Sequence, residues 1–146
     1  MVNIETNNPK KDRNILRFPI MNIPELDAQD QEALDILNAL KSATKENITA
    51  AAIQEQLDLL KKHFVVHFKA ENKHMIKNKY PGLEAHAQDH ARFLKEKILY
   101  VQQENGNPKF DYEVLINRIS GHINTHDRVL AKFLKNMSDK TPLSNL

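Results

Sequence analysis

At 146 residues and 16.9 kDa the chain is long enough for one domain with one core and too short for two. Its 21 lysines and arginines stand against 19 acids, a net charge of +2 spread along the chain, so nothing in the charge asks for nucleic acid. There is no cysteine, which excludes disulfides, thiolate metal sites and a cysteine nucleophile together, and no window approaches the ~18 apolar residues of a membrane span.

The N-terminus, MVNIETNNPKKDRNILRFPI, lacks the apolar region of a signal peptide and reads as an extended arm over residues 1–20 of a cytoplasmic protein. Pro24 suits the first turn of a helix reaching residue 42, with Leu26, Ala33, Leu37 and Leu40 at helical spacing. A second helix is expected over 49–78. Its stripe of Ile53, Leu57, Leu60, Phe64, His67, Glu71 and Met75 keeps steps of three and four while turning polar at 67 and 71. Tyr80-Pro81-Gly82 breaks the chain, a third helix runs over 83–103, NGNP at 105–108 breaks it again, and a fourth spans 110–137. Only three glycines occur, and strong helix formers fill the intervals. The expectation is therefore all-α: an antiparallel up-down four-helix bundle over 21–138, preceded by the arm and followed by a frayed tail over 139–146.

The histidines carry the chemistry. Seven in a chain of this length give roughly 0.3 pairs at a spacing of four by chance, whereas three pairs occur, His63 with His67, His86 with His90 and His122 with His126. That spacing stacks two imidazoles one turn apart on a helix face, where both can reach a single ion. Two acids join the series, Glu71 four after His67 and Asp127 five after His122. Carboxylates can bridge two cations and offset their charge, which neutral imidazole cannot do. Any one of these histidines alone suits an ordinary core or surface position. Three pairs within apolar stripes point instead to a metal cluster inside the bundle, because unpaired buried imidazoles and carboxylates are costly. His63, His74 and His126 fall on helix flanks and are expected at the surface or behind the ligands.

These residues resemble the hemerythrin family. HFKAEN at 67–72 is similar to its HF-x-x-E-E segment, YPGLEAHAQDHARF at 80–93 to YP-x-x-x-x-H-x-x-x-H-x-x-F, and HINTHD at 122–127 to HI-x-x-x-D. NIPELDAQDQEALDILNAL at 22–40 resembles the opening of the bacterial form's first helix, so the likeness runs over about residues 16–136. It implies a four-helix bundle holding two non-heme irons that bind dioxygen. His86, His90 and His122 would hold one iron, His67 the other, and Glu71 and Asp127 would bridge them.

Asp30 departs from the pattern, standing where the family has a first-helix histidine on the second iron, the one the resemblance leaves open to dioxygen. Arg118 and Asn72 depart as well, in place of a tryptophan and of the second acid. Ile119, Ile123 and Phe68 read as the apolar pocket wall. A carboxylate reaches roughly 1 Å less far than the distal nitrogen of imidazole, so ligation by Asp30 needs an inward shift of the helix or a water. It would add a full negative charge favouring the higher oxidation state. Otherwise Asp30 is an acid early in a helix, paired with Arg118; His63, one turn before His67, is the surrogate ligand if the second helix is displaced. The expected function is binding of dioxygen or another small diatomic or peroxide ligand, without enzymatic turnover, by a monomer with no nucleic-acid or membrane partner. The competing expectations are a carboxylate-rich oxidase-like or peroxide-consuming di-iron protein, and a storage or sensing module with a defective second site.

Overall fold

The computed structural model describes residues 16–46 and 49–140. Helix α1 (Pro24–Lys45) opens with proline in its first turn and Glu25 and Asp27 against the positive end of the dipole. Helix α2 (Ala50–Lys77) is capped by Thr49, whose hydroxyl accepts from the Ala52 amide at 3.2 Å. Helix α3 (Leu83–Phe93) follows a turn in which Gly82 is required, since a Cβ there would sit 2.8 Å from the buried Tyr80 ring. The last helix has three parts: α4 (Tyr112–His122), capped by Asp111, a π-helical turn (Ile123–Asp127), and α5 (Arg128–Lys140). Together they make the all-α four-helix bundle that the spacing predicts. No helix among the described residues is long and apolar enough to cross a membrane.

Cross-helix pairs fix the antiparallel order. Glu25 meets His74 while Gln29 meets His63, Asn72 meets His90 while Gln54 meets Leu99, and His86 meets Asp127 while Glu96 meets Arg118. Each sequence climbs one helix as it descends the next.

The third helix does not continue to residue 103. It ends at Phe93, and a 3₁₀ turn (Lys97–Leu99) leads to an antiparallel hairpin of β1 (Gln102–Glu104) and β2 (Asn107–Lys109). Good helix formers at 95–98 are overridden from outside: Glu96 is taken by Arg118 at 2.6 Å, Leu99 is buried, and the Val101 amide donates to Gln54 Oε1 at 2.7 Å. Asn105 and Gly106 both have positive φ, 54° and 79°, so NGNP builds a two-residue hairpin turn as well as stopping a helix. The other helix ends lie within three residues of the expected positions. Of the N-terminal arm only residues 16–20 are described; they carry no regular structure, and Leu16 and Phe18 pack on the core. The remainder of the arm and residues 141–146 of the tail lie outside the described residues.

The interior is split. Leu37, Leu40, Leu57, Leu60, Phe64, Phe93 and Leu115 belong to one apolar cluster, and Met21, Leu26, Met75, Tyr80 and Leu130 to a second. Along α2 the polar interval at 67 and 71 falls between Phe64 and Met75, and the site occupies that gap.

Candidate metal centre

Among the described residues, eight buried polar or charged side chains fill the layer between the two clusters: Asp30, His67, Glu71, His86, Asp89, His90, His122 and Asp127. Helix α1 supplies Asp30, α2 supplies His67 and Glu71, α3 supplies His86, Asp89 and His90, α4 ends on His122, and the π turn delivers Asp127. The spacing of five between the last two depends on that turn. Five residues of α-helix rotate through about 500°, which would leave Asp127 roughly 140° away from His122. A π turn absorbs one extra residue and brings the fifth side chain where the fourth would otherwise lie.

The imidazole Nε2 atoms converge on two carboxylates. Glu71 Oε1 lies 2.8 Å from His86 and 3.1 Å from His90, and Asp127 Oδ1 lies 3.0 Å from both His86 and His122. These five residues each offer one ligand atom, all within 4.8 Å of one another. Glu71 turns its other oxygen to the opposite side, where His67 Nε2 stands 3.5 Å from it and 3.3 Å from Asp30 Oδ1. Nε2 of His86, His90 and His122, both oxygens of Glu71 and Oδ1 of Asp127 are buried without a hydrogen-bond partner among the described residues. Close approach without hydrogen-bond geometry is how ligand atoms arrange themselves around a cation, and the fit to a metal rests on these orphaned atoms.

The opposite ring nitrogens are fastened in three of the four imidazoles, while Nδ1 of His86 is buried without a partner among the described residues. Nδ1 of His67 meets Gln29 Oε1 at 2.7 Å, Nδ1 of His90 meets Asn72 Oδ1 at 2.9 Å, and Nδ1 of His122 meets Asp89 Oδ2 at 2.6 Å. Each acceptor requires the proton on Nδ1 and leaves the Nε2 lone pair free, the tautomer a metal needs. Phe68 stacks on His90 with ring centroids 4.0 Å apart, which fixes that ring from its face.

The electrostatics of the metal-free layer follow from burial. Burial disfavours a charge on His86, but the carboxylates of Asp127 and Glu71 outweigh it and hold the imidazole up at about 9. Burial wins at His90, pushed down to about 4 despite Glu71. It also raises Asp30 to about 8, against the pull of His67 and with the charges of Asp127 and Glu71 adding to it. Glu71 is buried too, yet the imidazoles of His67, His86 and His90 draw it well below the usual carboxylate range. The layer is thus a set of coupled anions and shared protons that a cation would displace.

Phe18, Phe64, Phe68, Phe93, Ile119 and Ile123, with His67, His122 and Asp127, line a small cavity of about 10 Å³, room for one water-sized molecule. The expected wall residues Phe68, Ile119 and Ile123 are therefore in place. Arg118 is not paired with Asp30: its guanidinium grips Asp89 at 3.0 and 3.2 Å and Glu96 at 2.6 Å, because α4 faces α3 at that height. His63 points its Nε2 to the Gln29 carbonyl at 2.8 Å, His74 lies against Glu25 at 3.2 Å, and His126 is half-buried with its ring 5.3 Å from that of His122. Sequence reasoning missed Gln29 and Asp89 and read Asn72 only as a departure. The signal was adjacency: each precedes or follows a candidate ligand by one residue.

A family model described as the hemerythrin HHE cation-binding domain matches residues 21–134. No curated protein and no solved structure matches the chain.

Proposed function

The chain belongs to the hemerythrin HHE cation-binding domain family, and on that footing we propose that it is a non-heme di-iron protein binding dioxygen or a similarly small ligand. The observation that carries this reading is the convergence of orphaned Nε2 and carboxylate atoms on a buried layer in which the Nδ1 atoms of His67, His90 and His122 are already engaged. His86, His90 and His122 would hold one iron, and His67 with Asp30 the other. Glu71, which presents one oxygen to each side, and Asp127 would bridge the pair. When bound, the iron pair supplies electrons to a small ligand and accepts them back. The chain's own residues do the rest: they fix the imidazoles, surround the pocket with phenylalanine and isoleucine, and limit the space to a molecule of a few atoms.

A second reading is favoured by Asp30, which is buried 3.3 Å from His67 and gives the layer a third carboxylate beside the candidate ions. Extra anionic ligands favour the higher oxidation state, and the protein would then consume oxygen or peroxide. Metal analysis and visible absorption separate the two. Protein from iron-supplemented cells is expected to carry two irons per chain and to show an absorption change in air that deoxygenation reverses. Two irons with a change that does not reverse would favour oxidase-like chemistry; a single iron or none would sink the di-iron reading.

A further inference from the structure

Among the three fastened imidazoles His122 differs from the others. Gln29 and Asn72 offer neutral amide oxygens to His67 and His90, whereas His122 Nδ1 donates to a carboxylate, 2.6 Å away and buried with it. A carboxylate acceptor draws the Nδ1 proton and makes Nε2 a more electron-rich ligand than an amide does. Asp89 is not left free to do this alone. Arg118 clamps both of its oxygens, Nη2 to Oδ1 at 3.0 Å and Nη1 to Oδ2 at 3.2 Å, while Arg92 adds a contact to Oδ1 at 3.1 Å from an exposed position. Arg118 is itself held by Glu96 at 2.6 Å and lies 5.2 Å from the centre of the Phe93 ring, so the clamp has one geometry. His126 Nε2, at 3.9 Å, is too far to compete for the carboxylate.

Resting on the di-iron reading above, we propose that Asp89 and Arg118 are positioning residues that set the metal affinity and the redox balance of the ion held by His122. Asp89 orients the imidazole and passes negative charge to it. Arg118 offsets part of that charge and limits how far the ion is biased to its higher valence. An arginine suits the task because its planar fork grips both oxygens at once, as a single ammonium cannot.

Asp89→Asn keeps the shape and an acceptor oxygen but removes the charge, and Arg118→Gln removes the clamp's cation. Cobalt(II) titration, followed by the visible absorption of the bound ion, and reduction potentials of the iron-loaded proteins report on the two roles. Asp89→Asn is expected to weaken cobalt binding by about 10- to 100-fold and to move the potential positive. Arg118→Gln should move the potential negative with cobalt affinity within a few-fold of wild type, and Arg118→Lys, which restores the charge without the fork, should return the potential toward wild type. A merely structural role would lower thermal stability and leave the potential of the loaded protein where it was. Unchanged affinity and potential in Asp89→Asn, or equal potentials in Arg118→Gln and wild type, would overturn the inference while cobalt uptake by wild type left the metal centre standing. Wild type that took up no cobalt would instead sink the centre itself. Equal helical content by circular dichroism qualifies each variant for the comparison, and if Asp89→Asn fails to fold, the Arg118 pair decides.

Discussion

His90 faces Glu71 with one nitrogen, Asn72 with the other and Phe68 with its ring, so removing it takes a candidate ligand and a packing surface at once. His90→Ala is expected to lose metal and, with a bound ion's stabilisation gone, to melt roughly 5 to 10 °C lower; metal content by plasma emission and a melting curve check both. Asp30 tests the other side of the layer. Asp30→His restores the longer reach and removes a negative charge, so the reversible absorption change in air should persist for longer before it stops responding to deoxygenation. A variant that loses reversibility as fast as wild type would shift attention to Arg118. At this scale the sequence was readable where the signal is periodic: His67, Glu71, His86, His90 and His122 announce themselves by spacing. Gln29, Asn72 and Asp89 do not, because an Nδ1 acceptor is defined by which helix lies opposite, and no period along one helix records that.

Among the elements, the π turn at Ile123–Asp127 explains a spacing that an α-helix cannot use. Since the turn holds one residue more than an α-helical turn, deleting one restores the α register and leaves His122, Asp127 and the apolar face of α5 nearly where they are. Thr125 is exposed in the middle of that turn. A chain lacking Thr125 is expected to retain its metal and to melt no lower than wild type, whereas Asp127→Ala should release the second ion before the first; metal stoichiometry and melting curves check the pair. The apolar stripes made the helices themselves legible, including the polar interruption of α2. The hairpin after α3 was not, since its cause is tertiary: Arg118 holding Glu96, Leu99 buried and Gln54 fastening Val101.

Over the whole molecule, the polar layer makes stability depend on pH in opposite senses with and without metal. In the metal-free protein His86 keeps its proton up to about 9 and Asp30 up to about 8, both above their ordinary values. The stability they contribute is therefore full at low pH and is lost as pH rises through those values. His90, pushed down to about 4, acts below pH 6.5, whereas burial is outweighed by the carboxylates around His67 and His122, which raise both imidazoles; these therefore act above 6.5 in the same sense as His86 and Asp30. Metal binding needs the same groups deprotonated and strengthens over the same rise in pH. The melting temperatures of loaded and metal-free protein should consequently diverge from pH 6.5 to 9, and a constant gap would contradict the coupling.

Phe18 has a different kind of consequence. Every other residue lining the small cavity is buried, and Phe18 alone is half-buried, carried on a strand of chain that Arg128 holds by the Arg17 carbonyl at 2.9 Å and Asp27 by the Met21 amide at 2.8 Å. Equilibrium affinity is set mainly by the candidate ligands and the buried walls, but the speed of arrival and departure is set by whichever side chain must swing aside, and Phe18 is held by its packing on the core and by a segment fastened through two hydrogen bonds. Phe18→Ala should thus raise the association and dissociation rates of nitric oxide together, measured by stopped flow, and change each rate by more than it changes their ratio. The residence time of the guest is then written in the segment preceding the bundle, where it can change without disturbing a single candidate metal ligand.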